Sequence, residues 1–176
     1  MHRLKNIACF AVLIAGAASV TAQDRTPASA ATQAIVHLGT KAQEFYLSKI
    51  TVSDLVKSYD FYTKVIGMKL ATSAEMPAPK APTASDPEKE FTEIPLNFSG
   101  SMADPIFVLI KRRGKTPSAE AAEMVTLGFK MRSTKEVVDR AIQSGYKLVR
   151  TLPQLKLNFL ADPDGYGVEL IEAPPF

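Results

Sequence analysis

Glu169 is the residue whose type and setting most invite chemistry. It interrupts an apolar run, Val168-Glu169-Leu170-Ile171, that otherwise reads as a strand. A carboxylate on a sheet face with apolar neighbours is costly unless it is paired, protonated or bound to a cation. The plain alternative is a Glu on a solvated sheet face. The residues just before it, Asp162-Pro163-Asp164-Gly165, are strong turn chemistry. Pro presets φ, Asp can bond its own backbone, and Gly adopts positive φ freely. The end of the chain thus reads strand, tight turn, strand, with one carboxylate planted in the second strand.

Other chemistries are excluded by composition. Residues 1–22 carry the three parts of a secretory signal peptide: His2, Arg3 and Lys5 as a basic start, an apolar run over 7–18, and Val20-Thr21-Ala22 as a small-x-small cleavage site. The apolar run is short for a membrane span, and no later segment is long and apolar enough to be one. The expected localisation is therefore periplasmic or secreted, without a membrane partner. Cleavage removes Cys9, the only cysteine, and leaves His37 as the only histidine. Thiol catalysis, disulfides and sites needing several histidines are then ruled out. Removing Arg3 and Lys5 from the 21 basic residues lowers the net charge from +3 to +1. No basic stripe remains, so nucleic acid is not an expected partner.

These residues need elements to hold them. Residues 23–42, rich in Ala, Thr and Ser, read as a flexible leader, and 43–176 as one domain. Residues 46–52 read as a strand. A helix follows from Ser53 or Asp54, with Leu55, Tyr59, Tyr62, Val65 and Ile66 on one stripe and Gly67 as its stop. Strands follow at 68–71, 91–98 and 105–111, and the last two are joined by a turn over 99–104. Between the first two lies a segment, 75–90, with Pro77, Pro79, Pro82 and Pro87, which reads as a loop and a candidate lid. Residues 115–123 read as a linker. After a strand at 125–131, Ser133-Thr134-Lys135-Glu136 is a capping box opening a second helix. Gly145 ends that helix, and strands follow at 146–152, 156–161 and 167–172.

The halves echo each other: Gly67-Met68-Lys69-Leu70 in one and Gly145-Tyr146-Lys147-Leu148 in the other. The fold class read from this is α+β, with two tandem βαβββ modules (about 43–114 and 121–174) forming a curved mixed sheet with a cleft. Ile50-Thr51-Val52-Ser53-Asp54-Leu55 and the run Ser58 to Leu70 resemble the opening of glyoxalase I. Asp162 to Tyr166 and Val168 to Glu172 resemble its final hairpin. The chain is similar, over about 46–172, to the vicinal oxygen chelate superfamily of glyoxalase, bleomycin-resistance and extradiol dioxygenase proteins.

The resemblance implies four inward-facing metal-ligand positions, usually His, Glu, His and Glu. By register they fall at Leu47, Val108, Thr126 and Glu169, the middle two within one or two places. One carboxylate among Leu, Val and Thr cannot replace a divalent cation's water. The metal site is therefore read as degenerate, with no metal or other cofactor expected. Strand alternation puts Lys49, Thr51, Ile106, Ile110, Gly128, Lys130, Gly167 and Ile171 on the same face. Glu169 is then either an ionised partner of Lys49 or Lys130, or a general base whose pKa is raised by apolar walls. Asn158 could offer an amide to a ligand or face solvent. Tyr46, Tyr59 and Tyr62 read as core, and Lys111-Arg112-Arg113 either as a solvated strand end leading into Gly114 or as a contact for the rim of an anionic ligand.

The leading expectation is an exported, metal-independent protein that binds a small apolar or amphipathic molecule in the cleft. Its ligand-binding residues would be Lys49, Leu47, Val108, Thr126, Lys130 and Asn158. The alternatives are a metal-free lyase or isomerase using Glu169 as base, and a lactoylglutathione lyase-like enzyme. The resemblance also implies a homodimer.

Overall fold

A computed structural model describes residues 45–75 and 79–173. The signal peptide (1–22), the leader (23–42) and His37 lie outside the described residues. So do 76–78, within the proposed lid.

The elements are β1 (Leu47–Thr51), α1 (Leu55–Asp60) running on as a π-helical segment (Phe61–Ile66), β2 (Lys69–Leu70), β3 (Phe91–Asn97), β4 (Ile106–Arg112), α2 (Ala119–Glu123), β5 (Thr126–Met131), α3 (Thr134–Gln143), β6 (Leu148–Leu152), a 3-10 turn (Pro153–Leu155), β7 (Leu157–Ala161) and β8 (Gly167–Glu172). Asp54 caps α1 by accepting from the Lys57 amide, and Ser133 caps α3 by accepting from that of Glu136. Gly67 at φ +92 and Gly145 at φ +84 end the two helices in the left-handed region, where a Cβ would be strained.

Two elements depart from the sequence reading. The second half of the first helix is π-helical, and the Thr63 hydroxyl there donates to the Tyr59 carbonyl at 2.7 Å. That carbonyl is the one the Thr63 amide would use in an α-helix, so the side chain competes with the regular ladder. The 115–123 linker contains α2, whose N-cap Ser118 accepts from the Ala121 amide. Five residues are too few to leave a readable periodicity.

The strands form two separate four-stranded sheets, ordered β1-β4-β3-β2 and β5-β8-β7-β6. In each, the first strand lies parallel to the last and the remaining pairs are antiparallel. The duplicated βαβββ plan is therefore present strand for strand.

Alternation along the strands decides where the core sits. Ile50, Leu96, Leu109, Leu160, Val168 and Leu170 are buried on the helix-covered faces and join both modules in one cluster with Phe61, Tyr62 and Val137. Tyr62 is central: its ring lies 4.8 Å from Phe107 of the first module and 6.4 Å from Phe129 of the second. Tyr59 packs against this cluster from its edge. Tyr46 does not reach it; Tyr46 is 44% exposed, and its hydroxyl donates to the Met102 carbonyl at 2.6 Å.

Candidate functional site

The opposite faces of the two sheets carry the positions the sequence singled out. Leu47 pairs with Ile106 across β1 and β4, and Val108 lies two residues further along β4. Thr126 pairs with Gly167 across β5 and β8, and Glu169 lies two residues further along β8. The two pairs thus occupy equivalent places in the two modules, as a duplicated four-position site requires.

Their chemistry is unequal. Val108 is buried with Ile106, Ile110 and Ala71 in a small apolar cluster on the open face of the first sheet. Leu47 and Thr126 are exposed, and Glu169 is partly buried. No hydrogen bond or ion pair to the Glu169 side chain is found among the described residues. This differs from the expected ion pair with Lys49 or Lys130. Lys49 Nζ instead donates to Glu93 Oε1 at 2.5 Å, and both side chains remain about one-third exposed. The reason is register: Glu93 of β3 pairs with Ile110 of β4, on the face that Lys49 shares from β1. Lys130 pairs with Ile171, next to the Gly128–Glu169 pair, and is exposed without an ion-pair partner among the described residues.

Glu93 was missed by a sequence reading that considered only the four strands of the ligand positions. The signal was available, since the 99–104 turn makes β3 the hairpin neighbour of β4 and alternation puts Glu93 on its open face.

Asn158 lies elsewhere. It pairs with Leu170 across β7 and β8, so it shares the helix-covered face. Its amide donates to Thr134 Oγ1 at 3.1 Å, and its carbonyl accepts from Thr151 Oγ1 at 2.7 Å. That ties β6 and β7 to the start of α3 and turns the amide away from the Glu169 face. Structure thus brings together Leu47, Lys49 and Val108 on one sheet and Thr126, Lys130 and Glu169 on the other. Among the described residues, no hydrogen bond or ion pair joins the two sets.

A divalent metal is a poor match to the four positions. Glu169 offers a hard oxygen ligand, Thr126 a weak hydroxyl, and Leu47 and Val108 nothing. Among the described residues, no three His, Cys, Asp or Glu side chains come together.

The turn before β8 is a second acidic centre with a different role. Asp162, 5% exposed, accepts from the Tyr62 hydroxyl at 2.9 Å on one oxygen. The other oxygen accepts from the Asp164 and Tyr166 amides, each at 2.9 Å. Asp164 accepts from the Ser53 amide at 3.1 Å, and the Tyr166 hydroxyl donates to the Thr51 carbonyl at 2.9 Å. The hairpin of the second module is thereby fastened to the end of β1 and the start of α1 in the first. Burial pushes the Asp162 carboxyl above the ordinary Asp value, against the hydrogen bonds from Tyr62, Tyr166 and Asp164 that pull it down. Burial also holds the Tyr62 hydroxyl well above its usual range, with the Asp162 charge adding to the effect.

The strand-end basic cluster is likewise not simply solvated. Lys111 Nζ donates to the Ser53 carbonyl at 2.6 Å, Arg112 lies 5.3 Å over the Phe91 ring, and Arg113 donates to the Glu88 carbonyl.

Paired βαβββ modules with equivalent ligand positions on their open faces define a glyoxalase-type fold. The chain belongs to the glyoxalase/bleomycin resistance protein/dioxygenase superfamily, whose family model matches residues 34–170. It is 31% identical over 128 residues to a lactoylglutathione lyase of Escherichia coli O157:H7, covering 70% of this chain and 87% of that relative. Among solved structures it is similar to the trypanothione-dependent glyoxalase I of Leishmania major, with a TM-score of 0.58 and 23% identity over 74% of this chain and 86% of that one. It is also similar to TnmS3, an antibiotic-binding protein from Streptomyces sp. CB03234, with a TM-score of 0.51 and 19% identity over 75% and 97% of the two chains. Both likenesses are of fold alone, and one fold serves an enzyme in the first case and a binding protein in the second.

Proposed function

We propose that this chain is exported and binds a small apolar or amphipathic molecule on the open sheet faces, without a metal. The observation that carries this reading is the contrast among the four equivalent positions: three side chains that make poor metal ligands, and one carboxylate with no hydrogen-bond or ion-pair partner among the described residues. The apolar group formed by Ile106, Val108 and Ile110, buried beneath Met102, would give an apolar ligand a floor once Met102 moves aside. Lys49, Glu93 and Lys130 supply polar groups that could orient it. Export rests on the basic start, the apolar run over 7–18 and the small-residue cleavage site.

The chain acts as a homodimer in this reading. The two halves of the site sit on separate sheets whose helix-covered faces share one core. A second copy that set one chain's first sheet against the other's second would complete the four positions in a single cleft. The exposed Phe45, Tyr46 and Leu47 at the start of β1 are apolar enough for such a contact.

A second reading is favoured by the lactoylglutathione lyase relative: a lyase or isomerase that keeps Glu169 as general base. A carboxylate without hydrogen-bond partners is free to take a proton from carbon next to a carbonyl. Turnover would then fall roughly a hundredfold or more in Glu169→Gln, with affinity retained. Simple binding predicts that Glu169→Gln leaves affinity largely intact, with no turnover to lose.

Elemental analysis tests the central statement. The protein is purified without chelator and measured again after dialysis against zinc, nickel and iron. Near-zero metal is the expected result. One equivalent retained through dialysis overturns the metal-independent reading and puts metal-assisted lyase chemistry first.

A further inference from the structure

A second cleft lies away from the second sheet. About 1010 Å³ opens between the 79–89 segment, the start of α1 and the first strand residues of β3. That is the upper end of the range for small-molecule sites, about 300–1,000 Å³. Its apolar wall is formed by Leu55, Val56, Phe91 and Ile94.

Charge inside this pocket is lopsided once each group is followed to its partner. Asp54 caps α1 and pairs with Lys57 at 3.4 Å. Asp86 accepts from the Thr83 amide at 2.7 Å, a bond that holds its carboxyl below the ordinary Asp value, and the exposed Lys80 lies 4.0 Å from its other oxygen. Glu93 is engaged by Lys49. Glu88 and Lys89 are exposed at the rim, one of each sign. Lys111 remains. It is half-buried, makes one hydrogen bond to the Ser53 carbonyl, and has no carboxylate at ion-pair distance among the described residues. An ammonium carries three donors, so two are left for a ligand. A partly desolvated cation without a counter-charge favours an anion beside it.

We propose that this pocket binds a small amphipathic carboxylate, its head on Lys111 and its apolar body against Leu55, Val56, Phe91 and Ile94. The site goes beyond the open-face reading: neither Glu169 nor Thr126 lines it, and it calls for a ligand of defined charge. The head group would displace water from Lys111 while the body covers the exposed surface of Leu55, Val56 and Phe91, with the buried Ile94 behind it.

Isothermal titration of the full chain with decanoate, decanol and decyltrimethylammonium tests the charge rule. Decanoate is expected to bind one to one, at least tenfold more tightly than the alcohol or the cation. Lys111→Met should weaken decanoate at least tenfold, and Lys111→Arg should restore most of that loss. Circular dichroism and the thermal midpoint of each variant report whether the loss is one of folding. Phe91→Ala, at a half-exposed position, gives an independent reduction if the wall is right. Equal binding of the three probes, absence of decanoate binding, or affinity unmoved by Lys111→Met overturns the proposal. Thr126→Arg separates the two sites: decanoate binding lost there but unaffected at Lys111 would place the ligand on the open sheet face instead.

Discussion

Asp162 and Glu169 stand seven positions apart in one hairpin and live in opposite environments. Asp162 is nearly inaccessible and accepts from Tyr62, Asp164 and Tyr166, so neither of its oxygens is idle. Glu169 is partly open and accepts from no protein group that the structure describes. The comparison separates a carboxylate that joins two modules from one whose oxygens are unclaimed among the described residues. Being buried and perturbed marks the structural acid here, and the proposed ligand-facing acid is the other one. The better marker is unused hydrogen-bonding capacity facing an accessible surface.

The strongest way to break this contrast is to truncate the fastened member. Asp162→Ala strips the partner from the Tyr62 hydroxyl and from two amides at the module junction. Each buried group left unsatisfied costs about 1–3 kcal/mol, so a total loss on the order of 3 kcal/mol or more is expected. Chemical denaturation measures it. A loss below about 1 kcal/mol would mean that water reaches the turn and that Asp162 is not a fastening at all.

A pH experiment sharpens the same point with a smaller effect. Asp162 has its folded-state pKa raised above the ordinary Asp value, chiefly by burial. The stabilising contribution of a group raised in the folded state is full below the unfolded pKa and is lost as pH rises through the folded one. Asp162→Asn is neutral at every pH and retains an acceptor for the two amides. Wild type should therefore hold its best advantage over Asp162→Asn near about pH 3 and lose part of it by about pH 7. A difference that grows with pH would show that the hydrogen bonds, not burial, govern this carboxyl.

How much of this was legible beforehand follows from the same two residues. Glu169 could be picked out because its surroundings are local: a polar residue in an apolar strand is visible in the string. The role of Asp162 could not, because Tyr62 is a hundred residues away and nothing in a turn motif names its distant donor. Lys49 shows the intermediate case. Its face was deducible from strand alternation, but its partner depended on adding β3 to the sheet, and Glu93 then took the place assigned to Glu169. Duplication was legible because both helix stops repeat as Gly-x-Lys-Leu, and the sheet orders agree with it. The split into two sheets was not, since strand patterns fix faces but not which module's edge meets which.

The Lys49–Glu93 pair is a weaker fastening on the open face, and Glu93→Gln measures it. With both side chains about one-third exposed, a loss of roughly 0.2–1 kcal/mol is expected, shrinking in high salt. A larger, salt-independent loss would show that this pair is structural in the manner of Asp162.

The smallest effect on folding belongs to the residue with the largest functional claim. Glu169→Gln removes a charge, keeps the side-chain shape, and breaks no protein contact that the structure describes. Substitutions without a buried partner ordinarily change stability by about 0.5 kcal/mol or less, and that is the expectation here. A loss above about 1.5 kcal/mol would mean that the carboxylate has a partner in the folded protein, and the contrast with Asp162 would collapse. If stability is unchanged, the carboxylate answers either to water on a solvated sheet face or to a ligand, and the ligand affinity and turnover of Glu169→Gln decide between the two.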